Sequence, residues 1–343
     1  MRRRSNRPPQ RWQGLSDPDL LKLRFCDLRL QLEHTPVYRD VLELYETLER
    51  RGVRFRPHIW LSTEWFSPDG IPGIAAPFYL GDQQLLKLER RMKGEAEGGN
   101  RFWRRRILRH EAGHALDTAY SLRRRPGWRE VFGRASKPYP STYLVRPASR
   151  RFVQHLGHWY AQSHPTEDFA ETFAVWLQPR ARWRRDYAGW PALRKLEFVD
   201  ELMHEVAGKR PLNSDRSTAA PLHTNKRSLR EHYRRASTTD DRGEYRYDAW
   251  LQRTFLARSR NPDAQRASAF LRENEATIAP VVMRNTNASG YLFRHVTEIL
   301  RRRTRELDLV LRNGRRDARR KAIRLYSRVI DDLLKRNRER YVL

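Results

Sequence analysis

Apolar and polar positions change period several times along this chain. From Asp17, the stretch LLKLRFCDLRLQLE sets Leu20, Leu21, Leu23, Phe25 and Leu28 in a helical pattern. A second helix is predicted over TPVYRDVLELYETLERRG, with Thr35 and Pro36 as N-cap and first helical residue and Arg50, Arg51 and Gly52 at its close. The period then shortens. VRFRPHIWLSTEWF (53–66) is rich in β-branched and aromatic residues, and GIPGIAAPFYLG (70–81) adds an extended, Gly/Pro-punctuated run, so a small sheet is expected. Helix returns over 83–93 and 101–124, with the turn GEAEGGN between them. Residues 125–160 are irregular, holding Pro126, Gly127, Pro138, Pro140 and Pro147, and helices follow after Pro165 and near 191–208.

Residues 209–228 are short of large apolar side chains and are expected to be a linker. Beyond them the pattern is helical, ending in two long amphipathic stretches, 291–312 and 315–338, split at Asn313-Gly314. In the last, Ile323, Ile330, Leu333 and Leu334 lie on one side. No internal repeat is present. The expected fold class is α+β, predominantly helical: a small sheet packed on the helix within 101–124, followed by an all-α C-terminal region. The expected divisions are a basic, flexible N-terminus (1–16), a mixed domain (17–208), the linker (209–228) and a basic helical accessory domain (229–343).

A length of 343 residues suits two domains. The 10 Trp, 14 Tyr and 13 Phe supply a core and argue against a disordered chain. Cys26 is the single cysteine, which excludes an intramolecular disulfide and any cysteine-built zinc module; it reads as a small buried hydrophobe rather than a nucleophile. No apolar run approaches membrane-spanning length, and none follows the basic start in the manner of a signal peptide. A cytoplasmic protein with no membrane partner is therefore expected. The net charge is +29, with 61 of the 70 basic residues being Arg. The shorter half, 209–343, carries +17 against +12 for 1–208. Such a surplus suits either non-specific nucleic acid or acidic protein held by the basic C-terminal helices, or a solvated basic exterior. No helix-turn-helix, zinc-finger or RNA-binding signature supports sequence-specific recognition. The Asp clusters that a two-metal phosphatase or nuclease needs are missing.

The chemistry concentrates in ILRHEAGHALDTAY. His110 and His114 are four apart, so on a helix both imidazoles point at one ion, and Glu111 beside them is placed to take a proton from a water activated there. Apolar Ile107, Leu108, Ala112, Ala115 and Leu116 would bury that helix. A zinc site needs a third protein ligand, with one place left open. Asp117, one turn beyond His114, suits a supporting or packing role better than ligation. Downstream, WYAQSHPTEDFAETFAVWL offers Glu167 and Glu171, four apart on one helical face; His164, before Pro165, is either a rival ligand or an N-cap.

These two blocks resemble the gluzincin metallopeptidases of the anthrax-lethal-factor and Pro-Pro-endopeptidase type, and are closer still to bacterial proteins known as putative zinc-binding metallopeptidases. The resemblance covers roughly residues 40–205. It implies a zincin-like domain, a single Zn2+ and a peptidase, expected to be an endopeptidase, acting on peptide or protein substrates. It also implies Glu167 as third ligand, Glu171 as the carboxylate that supports a ligand imidazole, and Tyr160, seven residues before Glu167, as the oxyanion partner. Unlike some of those proteins, this chain cannot build an N-terminal cysteine zinc ribbon. In that class an extended peptide commonly pairs with the edge of the small sheet; 70–81 is either that edge or a plain core strand and turn.

Overall fold

In the computed structural model, which describes residues 11–93, 96–140, 142–147, 149–236, 247–286, 288, 290–312, 314–336 and 339–342, the chain forms two compact units. The first comprises Met1–Tyr139, Arg150–Leu156 and Tyr160–Thr239; the second comprises Pro140–Ser149, Gly157–Trp159 and Asp240–Leu343. Of the expected flexible N-terminus, residues 1–10 lie outside the described residues. Within the remainder, Trp12 is buried and its indole N–H donates to the Leu28 carbonyl at 2.9 Å.

The helix expected after Asp17 is broken. Helix α1 is only Asp17–Leu20, and short 3-10 turns follow at Phe25–Leu28 and Leu32–His34. The cause is competition for the backbone. Leu229 N–H donates to Leu23 O and Arg230 N–H to Leu21 O, both at 2.9 Å, while Phe25 N–H and Cys26 N–H donate to Arg227 O and Asn225 O at 3.1 and 3.0 Å. Leu20, Phe25 and Leu28 are buried all the same, so the apolar pattern is satisfied without the helix that would usually present it.

The other helices of this unit are α2 (Pro36–Arg50), α3 (Gln83–Lys93), α4 (Arg101–Tyr120), α5 (Trp128–Phe132), α6 (Pro165–Leu177), α7 (Trp183–Asp186), α8 (Ala192–Val206) and α9 (Leu229–Ala236). Strands β1 (His58–Ser62) and β2 (Gly73–Pro77) pair in parallel, with His58 opposite Gly73 and Ser62 opposite Pro77. The connection between them folds back so that Phe66 bridges Ala75 from the opposite side: Ala75 N–H donates to Phe66 O at 2.8 Å. Strand β2 is thus central and all five of its residues are buried. The stretch 70–81 is a core strand and turn, and the open edge considered for it is already covered.

Helix α2 is fastened to α4 by charge. Asp40, with a side chain 1% exposed, accepts from the guanidinium groups of Arg101, Arg104 and Arg105 at 2.9, 2.6 and 3.2 Å. Residues 209–228 lie along this same unit. Leu212 and Asn213 N–H groups both donate to Ala119 O, and the side chains of Trp60 and Ser62 donate to the carbonyls of Ala219 and Ala220. Leu222, Leu229 and Tyr233 join the core formed by α2–α8.

In the second unit, α10 (Asp248–Thr254), α11 (Ala267–Glu273), α12 (Glu275–Thr286), α13 (Gly290–Glu306) and α14 (Arg315–Arg336) enclose a separate core that includes Phe255, Phe270, Val296, Tyr326 and Ile330. Three short antiparallel pieces complete it: β3 (Thr142–Val145) pairs with β6 (Glu339–Val342), and β4 (Leu256–Ala257) with β5 (Leu309–Val310) and, through a bridge, Arg266 meets Val310. The chain is α+β and predominantly helical. Among the described residues, no helix is long and apolar enough to cross a membrane.

Candidate metal centre

Helix α4 starts where Asn100 accepts from Trp103 N–H at 2.9 Å, and ends where Ser121 turns left-handed at φ 52°. Its apolar stripe, with Ile107, Leu108, Ala112, Ala115 and Leu116 all buried, packs it into the core as its period predicts. Helix α6 is buried on every side from Thr166 to Leu177, carboxylates included. The two helices approach closely at Gly113. A Cβ there would stand 2.9 Å from Ala170 Cα, closer than such atoms come. A glycine, normally costly inside a helix, lets the backbones of α4 and α6 meet. This close approach brings one helix's imidazoles against the other's carboxylates.

Three donor atoms converge there. His110 Nε2 lies 3.0 Å and His114 Nε2 3.1 Å from Glu167 Oε2, and the two Nε2 atoms are 3.2 Å apart. Glu171 Oε1 is 2.9 Å from His110 Nδ1, so when the ring is neutral, as a metal ligand must be, its proton belongs on Nδ1 and Nε2 is the ligating atom. Glu171 is itself held, its Oε2 accepting from Leu156 N–H at 2.8 Å. Donors about 2.0–2.2 Å from a tetrahedral zinc ion would be separated by about 3.3–3.6 Å, slightly wider than the triangle found. The donor set, two imidazoles and one carboxylate within reach of one another, therefore fits a metal ion. Electrostatics agree with that grouping. Burial opposes a charge on His110, yet the carboxylates of Glu167 and Glu171 together outweigh it and hold its pKa well above the ordinary value. Burial also opposes a charge on Glu167, and the two imidazoles overcome it and hold this carboxyl well below its ordinary range.

A cavity of about 290 Å³ opens on this cluster. Glu111 lines it, and among the described residues its carboxylate has no hydrogen-bond partner; burial pushes its pKa upward, as suits a base near neutral pH. Tyr160 lines it too, its ring centroid 5.6 Å from that of His110. Trp65, Phe66 and Ser67, from the connection that covers β2, form another part of the wall.

The remaining expected residues lie elsewhere. Asp117 turns away from the imidazoles and binds Arg123, accepting from its backbone N–H at 2.8 Å and its Nε at 2.6 Å. A guanidinium six residues on, past the helix end, is always charged and pairs with a buried carboxylate more strongly than an imidazole one turn back. His164 is the N-cap of α6: its Nδ1 accepts from Thr166 N–H, and its Nε2 donates to Lys137 O at 2.6 Å. One side chain at the centre had no signal in the chain's pattern. Tyr139, in the irregular stretch 125–160, donates to Glu167 Oε1 at 2.6 Å. Gly113 did carry a signal, a glycine in the middle of a strongly helical run.

Comparison with known proteins adds one finding. Residues 106–184 match the family model described as "Putative zinc-binding metallo-peptidase". The match contains every residue of the cluster and ends within α7, so it covers the α4–α6 crossing and leaves the second unit largely untouched. No curated protein and no solved structure matches the chain.

Proposed function

We propose that the chain is a zinc-dependent peptidase whose single ion is held by His110, His114 and Glu167. The observation that carries the reading is the meeting of three potential ligand atoms within 3.0–3.2 Å of one another beside a cavity that Glu111 also lines. The match of this segment to a family described as zinc-binding metallo-peptidase supports it. When bound, zinc supplies Lewis acidity, acidifying a water toward pH 7 and polarising the scissile carbonyl.

The chain's own residues do the rest. Glu111 receives the water's proton on its carboxylate and passes it to the departing amine, a role its raised pKa favours. The Tyr160 phenol, beside His110 at the cavity, donates a hydrogen bond to the oxyanion. Glu171 keeps the His110 proton on Nδ1 and so keeps Nε2 available as a ligand. The test is a peptide library incubated with wild type and Glu111→Gln, zinc being measured on both. Cleavage by wild type alone, with one zinc on each, supports the reading, and the fragments show whether internal bonds or chain ends are cut. Equal cleavage by both proteins, or a wild type that takes up no zinc, refutes it.

A further inference from the structure

Glu167 has two chemically equal oxygens, and a carboxylate left to itself can offer a metal either one or both. Here they are made unequal. Oε2 faces the two imidazoles, while Oε1 accepts a 2.6 Å hydrogen bond from the Tyr139 hydroxyl. The same hydroxyl is 2.6 Å from Thr166 Oγ1. The Tyr139 ring lies flat on His164, with centroids 3.9 Å apart and planes 17° from parallel. His164 caps α6 and donates to Lys137 O, so residues 137 and 139 are both tied to the helix start that carries Glu167.

We propose that Tyr139 is a positioning residue: by occupying Oε1 it makes Glu167 a one-oxygen ligand, tightens metal binding and leaves a coordination place open for water and substrate. The inference rests on the zinc reading above. It also separates the two tyrosines at the cavity, Tyr139 acting through Glu167 and Tyr160 on the substrate. Supporting contacts of this kind are worth roughly 10–100-fold in metal affinity, and a short hydrogen bond to a charged acceptor belongs to the strong class.

The experiment measures zinc affinity by chelator competition, and the visible spectrum of the cobalt-substituted protein, on wild type, Tyr139→Phe and Tyr160→Phe. Phenylalanine preserves the stack on His164, and Tyr139 as a residue is 54% exposed, so the variant keeps its fold. The expected result is zinc affinity lowered roughly 10–100-fold in Tyr139→Phe alone. Its cobalt bands should weaken as Glu167 binds through both oxygens and the coordination number rises. Unchanged affinity and spectrum in Tyr139→Phe, with wild type binding zinc, overturns this inference and leaves the zinc reading standing. Equal weakening in both tyrosine variants also overturns it. A wild type that binds no zinc removes both.

Discussion

Glu111 and Glu171 are both buried carboxylates, on helices that cross at Gly113, and their surroundings are opposite. Glu171 has both oxygens engaged, by His110 Nδ1 and by Leu156 N–H. Glu111 has neither oxygen engaged among the described residues and faces the cavity. On α6, Asp168 stands between the two: Lys195 Nζ is 2.5 Å from its Oδ2, its buried Oδ1 has no hydrogen-bond partner among the described residues, and burial pushes its pKa up to about 7. A carboxylate whose lone pairs are all spoken for holds structure together. One left facing space is available for chemistry, and its desolvation is tolerated for that reason.

The largest effect is expected where that contrast is removed. Glu111→Gln keeps the shape and deletes the base, so turnover should fall about 10²–10⁴-fold with zinc content unchanged, measured by peptide hydrolysis and metal analysis. Asp168→Ala should act on stability instead, because it leaves Lys195, only 12% exposed, without its anion. A loss of about 3–5 kcal/mol is expected in urea unfolding of the protein. Gly113→Ala tests the crossing itself. Overpacking against Ala170 should cost about 1–3 kcal/mol and weaken zinc binding together, since the two helices must separate.

The histidines repeat the lesson at smaller scale. His110 is buried against two carboxylates and its pKa rises, whereas His232, on α9 between Phe25 and Phe78, has none and burial drives it down to about 4. In the unfolded chain His232 titrates near its ordinary value of 6.5, so below that pH the unfolded state binds the proton first. Stability contributed by the neutral ring is therefore complete above pH 6.5 and is lost as pH falls toward 4. A decline on the order of 1–2 kcal/mol by pH 5 is expected in unfolding titrations, with a flatter pH dependence in His232→Phe.

What could be read from the chain follows the same division between local and distant causes. The spacing His110–His114 and Glu167–Glu171 is local, because four residues make one helical turn, and both pairs stand where that spacing puts them. The helix pattern from Asp17 was equally clear, yet the backbone of 21–26 is bonded to 225–230, some two hundred residues away in the chain. Asp117 illustrates the same limit. Its nearest helical neighbour was an imidazole, and the partner it took, Arg123, becomes adjacent only after Ser121 turns the chain back. Tyr139 is the extreme case. It sits among prolines with no period at all, and its position against Glu167 is created by the fold of 137–139 onto the start of α6.

The account depends on one ion shared by α4 and α6, and X-ray absorption at the zinc edge tests that most directly. One zinc per chain is predicted, with only nitrogen and oxygen neighbours, the outer-shell scattering of two imidazoles, and loss of binding in a His110→Ala, His114→Ala double variant. A zinc-free protein, a sulfur neighbour, or zinc retained by that double variant would contradict it.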